Sequence, residues 1–224
     1  MARHLDLEEQ EQLDELKHFW NQWGNLITWF LIAVLGSYAA WNGWQYWQRQ
    51  QAVQASALYD EIERAAAGGD VARVEQGFKD IQDKFGRTSY AQQAGLLAAK
   101  VFTDKGKPEQ ARTALQWVAQ DASDDGYQAI ARLRLASVLV DTKAYDDALK
   151  QLSDMPKEFE ALAADRRGDI YNLQGKKDQA KAEYLKAWPG FPVDSEYRTL
   201  LEVKLTALGV DVQTLKAPVE TAKS

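Results

Sequence analysis

The stretch Ala99-Lys100-Val101-Phe102-Thr103-Asp104-Lys105-Gly106-Lys107-Pro108-Glu109-Gln110-Ala111-Arg112-Thr113-Ala114-Leu115 decides the fold. It holds a small residue, a large one three positions on, a glycine turn, a second small residue and another large one. The pattern recurs as Ala136, Leu139, Ala148 and Leu152, then as Gly168, Tyr171, Ala180 and Tyr184. Its alanines Ala111, Ala148 and Ala180 lie 37 and 32 residues apart. The turns are Asp104 to Pro108, Asp141 to Asp146, and Gln174 to Asp178.

The physical reading is direct. Two antiparallel helices joined by a tight turn approach closely only where small side chains face each other, and large neighbours fill the flanking space. One hairpin cannot bury its apolar faces alone, so hairpins stack into a solenoid. Pro108 suits the first turn of a helix, where its missing N–H costs nothing. No run of alternating β-branched residues calls for strands. A generic helical bundle with alanine-rich contacts is the competing reading, and it leaves the period unexplained. A fourth unit, Ala55 to Phe85, matches only by its Gly68-Gly69 turn and Phe78. There glycine ends one helix and Asp70 caps the next. The fold expected is all-α, an α-solenoid of about three to four helical hairpins. A last amphipathic helix, from about Ser195 to Leu208, is placed to cap the stack. Residues 209–224 read as a flexible tail.

Toward the N-terminus, residues 19–48 contain no charged side chain. Six of the chain's eight tryptophans lie there: Trp20, Trp23, Trp29, Trp41, Trp44 and Trp47. A helix crossing a bilayer needs about 20 mostly apolar residues, and tryptophan favours both interfaces. A single transmembrane helix over 24–48 follows. A buried core helix seldom carries such belts. Ser37-Tyr38-Ala39 resembles a signal-peptidase site, but the segment before the apolar run is acidic where a signal peptide is basic. Residues 1–23 form an acidic tail, Arg3 and Lys17 against six acidic residues. Its Leu13, Leu16 and Trp20 suit an amphipathic helix as well as an unordered lead. No glycine or proline interrupts Gln45 to Ala67, so residues 49–67 extend the span as a stalk. Residues 24–67 as one helix measure about 66 Å. The helical domain covers 49–208.

The chain has a net charge of −6, with 27 Lys and Arg against 33 Asp and Glu. Beyond the tail the balance is nearly even, which argues against a nucleic-acid partner and against docking on anionic lipid. There is no cysteine, and the only histidines are His4 and His18. The region after residue 48 thus lacks the two residue types that most often serve as general base, nucleophile or zinc ligand, which leaves only carboxylate-based chemistry open. No catalytic, cofactor or metal site is expected, and no enzyme activity. Asp124-Asp125 and Asp146-Asp147 sit in turns, as caps or solvated groups.

The repeat pattern resembles the tetratricopeptide repeat, with a small residue in the first helix, glycine in the turn and alanine in the second helix. Gly106 and Gly175 match the turn, while Lys143 departs from it. The family's early tryptophan is replaced by Gly95, Arg132 and Ala164. On this alignment the groove positions are Gln93, Leu96, Lys100, Ile130, Leu133, Ser137, Leu162, Asp165, Asp169 and Asn172. That mixture suits extended or unfolded polypeptide better than a small ligand. In the span, Ala33, Gly36, Ala40 and Gly43 share one face, where small side chains let another transmembrane helix pack closely. Asn42 could hydrogen-bond across such a contact.

The whole layout, from Phe19-Trp20-Asn21-Gln22-Trp23-Gly24 through the repeats, resembles the bacterial YfgM family. That resemblance implies a single-pass inner-membrane protein, with its N-terminus cytoplasmic and its helical domain periplasmic. It implies an ancillary subunit of the Sec translocon, acting with a PpiD-type membrane-anchored chaperone on unfolded or nascent secretory proteins. A structural scaffold in an envelope or division complex is the alternative. Charge does not orient the span: Arg3 and Lys17 precede it, and Arg49 and Arg64 follow it.

Overall fold

A computed structural model, described for residues 7–216, is helical, with no strand among the described residues. The chain divides into two units, Met1–Val53 and Gln54–Ser224, and helix α1 (Leu7–Ala67) contributes to both.

In the first unit α1 has no break at residue 24, so residues 7–23 of the acidic tail are helical; residues 1–6 lie outside the described residues. Only 6% of its most apolar window is buried, and Trp29, Leu35, Tyr38 and Trp41 are all exposed. A soluble core helix would hide those side chains. Among the described residues this is the one helix long and apolar enough to cross a membrane. Three of its polar side chains turn back on the helix. Thr28 donates to the Gly24 carbonyl at 2.7 Å, Ser37 to Ala33 at 2.7 Å and Asn42 to Tyr38 at 2.9 Å. Such bonds leave little unsatisfied polarity in hydrocarbon.

The second unit stacks hairpins. The end of α1 pairs with α2 (Val71–Phe85), then come α3 (Ser89–Asp104) with α4 (Pro108–Asp121), α5 (Asp125–Asp141) with α6 (Tyr145–Gln151), and α7 (Glu160–Leu173) with α8 (Lys177–Ala187). Helices α9 (Glu196–Ala207) and α10 (Val212–Lys216) follow. Asp70, Thr88, Asp124 and Ser195 cap their helices by accepting a backbone N–H three residues on.

Each reversal repeats one device. The residue after the first helix's C-cap takes a left-handed conformation: Gly69 at φ 71°, Gly106 at 68°, Lys143 at 60° and Gly175 at 74°. Its N–H and the next one return to carbonyls of the last turn. In the second hairpin these are Gly106 to Thr103 at 3.0 Å and Lys107 to Phe102 at 2.8 Å; in the third, Lys143 to Val140 and Ala144 to Leu139, both 2.8 Å. Lys143 therefore performs the glycine's task, though its Cβ makes that conformation costly.

Behind the turns the small residues Ala99, Ala136, Ala111, Ala148 and Ala180 are buried, as are Phe102, Leu139, Leu115, Leu152 and Tyr184. At Gly168 the Tyr184 ring lies where a side chain would begin. The stack holds two cores. The larger runs from Ala55 to Ile170; the smaller gathers Ala164, Ala180, Tyr184, Ala187, Trp188, Leu201 and Leu205. The two meet at α7, which gives Ala163 and Ile170 to the larger core and Ala164 to the smaller; before it, α6 is only seven residues long and is continued by an irregular segment with one 3-10 turn, Lys157–Phe159. Helices α4 and α5 pack extensively, whereas α6 offers α7 a narrow contact.

The described order runs past residue 208, where a flexible tail was expected. Val210, Val212 and Leu215 pack on the smaller core, which gives residues 209–216 an apolar reason to stay. Residues 217–224 of that tail lie outside the described residues.

Replacing Lys143 by glycine removes the strain of a left-handed non-glycine residue and should stabilise the chain by about 1 kcal/mol. Gly168→Ala drives a methyl into the Tyr184 ring and should destabilise by about 1–3 kcal/mol. Urea titration of the full chain followed by circular dichroism reads both changes.

Candidate functional site

The first helices of successive hairpins touch: α3 against α5, and α5 against α7. Two clefts open between such helices. One, of about 400 Å³, lies between α5 and α7 and is lined by Ala136, Ser137, Val140, Asp141, Arg166, Asp169, Ile170, Asn172 and Leu173. The other, of about 340 Å³, lies between the end of α1 and α3, with Glu63, Ala66, Leu97, Lys100, Val101, Asp104 and Lys105.

The groove positions read from the repeat separate into three groups. Ser137, Asp169 and Asn172 meet in the α5–α7 cleft, and Lys100 lies in the α1–α3 cleft, 2.7 Å from Asp104. Gln93, Ile130, Leu133 and Leu162 are half-buried on their first helices and line neither cleft. Leu96 and Asp165 are not groove residues. Leu96 is buried in the larger core, and its carbonyl accepts from Arg134. Asp165 is 1% exposed because α9 covers it.

The covering of Asp165 is a buried polar network that the repeat period does not announce. Lys204 of α9 lies 2.8 Å from Asp165 and 2.7 Å from Asp169. The Tyr197 hydroxyl donates to Asp165 at 2.7 Å, and the Tyr184 hydroxyl donates to Asp169 at 2.8 Å. Burial, then the adjacent carboxylates, push both phenols up, so they stay protonated as donors. Arg198 lies 3.8 Å over the Trp188 ring and donates to the carbonyls of Trp188 and Phe191. The repeat marked Asp165, Asp169 and Tyr184 but not their partners on α9: Lys204 and Tyr197 are 39 and 32 residues from Asp165.

The missing tryptophans are each compensated differently. Beside Gly95 lie Val118, Phe78 and Trp117, and the last two rings meet edge-on at 5.6 Å. The Arg132 guanidinium donates to the carbonyls of Gln151 at 2.8 Å, of Asp154 at 3.3 Å and of Ser153. Ala164 packs in the core that holds Trp188. Arg167 adds a bond to Leu152 at 2.7 Å. Two arginines thus satisfy the carbonyls that α6 leaves open at its C-terminus. Arg167 also meets Glu160 and Glu183, and Lys186 meets Glu183 at 2.5 Å.

In the first unit Ala33, Gly36, Ala40 and Gly43 are exposed on α1, and nothing lies within 4 Å of a side chain built at Gly36 or Gly43. Among the described residues no group of three or more His, Cys, Asp and Glu could hold a metal ion. The arrangement is one of surfaces: an open small-residue face in one unit and half-polar clefts between neighbouring helices in the other.

Comparison with known proteins gives a consistent picture. The tetratricopeptide repeat-like domain family matches residues 17–210. A Neisseria gonorrhoeae protein named ancillary SecYEG translocon subunit is 34% identical over 213 residues, covering 93% of this chain and 100% of that protein. Its Escherichia coli namesake is 28% identical over 203 residues, 90% of this chain and 97% of that one. The Haemophilus influenzae namesake is 30% identical over 182 residues, 81% and 89% of the two chains.

Burial opposes ionisation of Glu183, but hydrogen bonds from Lys186 and Arg167 outweigh it and lower its pKa. Its ionised form therefore favours folding above the ordinary value of about 4.3, and this contribution is lost as pH falls through the lowered value. Arg167, raised by Glu160 and Glu183 against its own burial, stays charged throughout. Glu183→Gln should lower stability at pH 7 and flatten the acid limb of a stability-versus-pH curve measured by thermal melts from pH 2.5 to 7.

Proposed function

The chain belongs to the tetratricopeptide repeat-like family and, within it, to the ancillary SecYEG translocon subunits, and from that premise we propose that it serves the Sec translocon through protein contacts and without catalysis. The observation that carries this reading is the likeness to those relatives along nearly the whole chain, apolar helix and repeats together.

The division of labour follows from the two surfaces. The apolar helix crosses the bacterial inner membrane once, with the N-terminus in the cytoplasm and the hairpin stack in the periplasm. Its Ala33, Gly36, Ala40 and Gly43 face receives a translocon helix, because in lipid close van der Waals packing drives helix association. The stack meets a PpiD-type membrane-anchored chaperone and the unfolded or nascent secretory chains that the translocon delivers. Clefts mixing aliphatic walls with few charges suit varied polypeptide better than one small ligand. Near-neutral charge beyond the tail keeps the stack from clinging to anionic lipid.

A photo-reactive residue at Gly36 should crosslink in cells to translocon subunits, and one at Ser137 to a chaperone or to nascent secretory chains. Products confined to wall-synthesis or division proteins would support an envelope scaffold instead. The chain has no cysteine, so a single Lys150→Cys variant reports sidedness. A membrane-impermeant maleimide should label it in cells with a permeabilised outer membrane and an intact inner one. Labelling only after inner-membrane lysis would reverse the orientation.

A further inference from the structure

The α5–α7 cleft differs in chemistry from its neighbour. In the α1–α3 cleft, Asp104 pairs with Lys100 at 2.7 Å, Glu63 accepts a hydrogen bond from Tyr59, and Lys105 adds a second cation to the lining. In the α5–α7 cleft, Asp169 is answered by Lys204 at 2.7 Å and Arg166 at 3.8 Å, but no basic side chain lies within ion-pair distance of Asp141 among the described residues. Lys143 and Lys176, on the turns beyond, pair with neither carboxylate; Lys176 lies over the Tyr171 ring. Helices α5 and α7 both end at this cleft, with Asp141 and Leu173 as their last residues. Helix C-termini carry partial negative charge and favour cations within the last turn. The same place offers apolar surface. Leu173 is 60% exposed beside Val140 and Ile170, unlike any other leucine or isoleucine of the helical stack from α2 to α8. The walls also come from hairpins that pack narrowly against each other.

Resting on the client-binding reading above, we infer that the α5–α7 cleft takes an extended polypeptide segment in which an aliphatic residue adjoins a lysine or arginine. The aliphatic side chain lies on Leu173, Val140 and Ile170. The neighbouring cation reaches Asp141 and the two helix ends. This pairing selects for composition rather than sequence: aliphatic residues next to basic ones are favoured, and aliphatic residues next to acidic ones are repelled. Ser137 and Asn172, exposed at the rim, leave backbone groups of the bound segment a polar border.

The test uses the full chain in lipid nanodiscs and fluorescence anisotropy with unstructured, labelled Gly-Ser peptides bearing Leu-Lys, Leu-Glu or Ser-Lys pairs. The Leu-Lys peptide should bind about threefold or more tighter than the Leu-Glu peptide, in the range of exposed ion pairs, and salt should shrink the difference. Asp141→Lys should invert that preference. Leu173→Asn should weaken both leucine peptides about fivefold, since it removes apolar contact alone, and should leave the Ser-Lys peptide unchanged. Both residues are exposed, so neither substitution threatens folding. Peptide binding that ignores both substitutions overturns this site while leaving client binding intact. Equal affinity for the Leu-Lys and Leu-Glu peptides overturns the charge selection. No binding of any peptide overturns the site and the client-binding reading together.

Discussion

A helix that must reverse within three residues has one economical solution, and this chain uses it in each of its four described hairpins and again at Gly209 after α9. The residue after the C-cap turns left-handed, and two N–H groups return to carbonyls of the last turn. That reversal leaves the two helices no room to separate. Small residues must then stand near the turn, and large ones must fill the flanks. Ala99, Ala136 and Gly168 on the first helices, with Ala111, Ala148 and Ala180 on the second, meet this demand, and all are buried. The stacking order, the cores and the position of both clefts follow from it.

Where the repeat departs from its ideal, other side chains supply what is missing, and each choice has a mechanical consequence. Trp117 and Phe78 fill the space beside Gly95 with rings, which keeps the neighbouring hairpins in broad apolar contact. Arg132 and Arg167 instead bond to the carbonyls of Gln151 to Asp154. Hydrogen bonds hold an irregular segment in place but bury little apolar surface. The larger core ends near this point, and its Ala136, Val140 and Ile170 form the apolar wall of the α5–α7 cleft. Helix α9 closes the far end with charged and aromatic groups. A cap must present a polar outer side while still satisfying what it covers.

The apolar helix obeys a different solvent. Its leucines, phenylalanines and tryptophans are exposed, Thr28, Ser37 and Asn42 bond to its own carbonyls, and Gly36 and Gly43 stand open. In water that surface would drive aggregation. In a bilayer it is matched to its surroundings, and the small-residue face becomes the place where another helix can come closest.

Residue order by itself determined the helical class, the hairpin period, the apolar span and the glycine turns. These depend on local periodicity and on backbone conformations only certain residues adopt easily. Even Lys143, the exception in the turn, could be located by its place in the period, although only the structure shows it left-handed. Residue order also marked Ser137, Asp169 and Asn172, which the fold brings to one cleft. The fate of Asp165 needed the tertiary structure. Its partners Lys204 and Tyr197 lie on a helix outside the repeat, so no spacing rule connects them. The separation of the cores needed it too, because neighbouring residues of α7, Ala163 and Ala164, go to different cores according to what packs on each side. Local pattern sets which residues a helix can bury, and long-range packing decides which of those positions remain open to a partner.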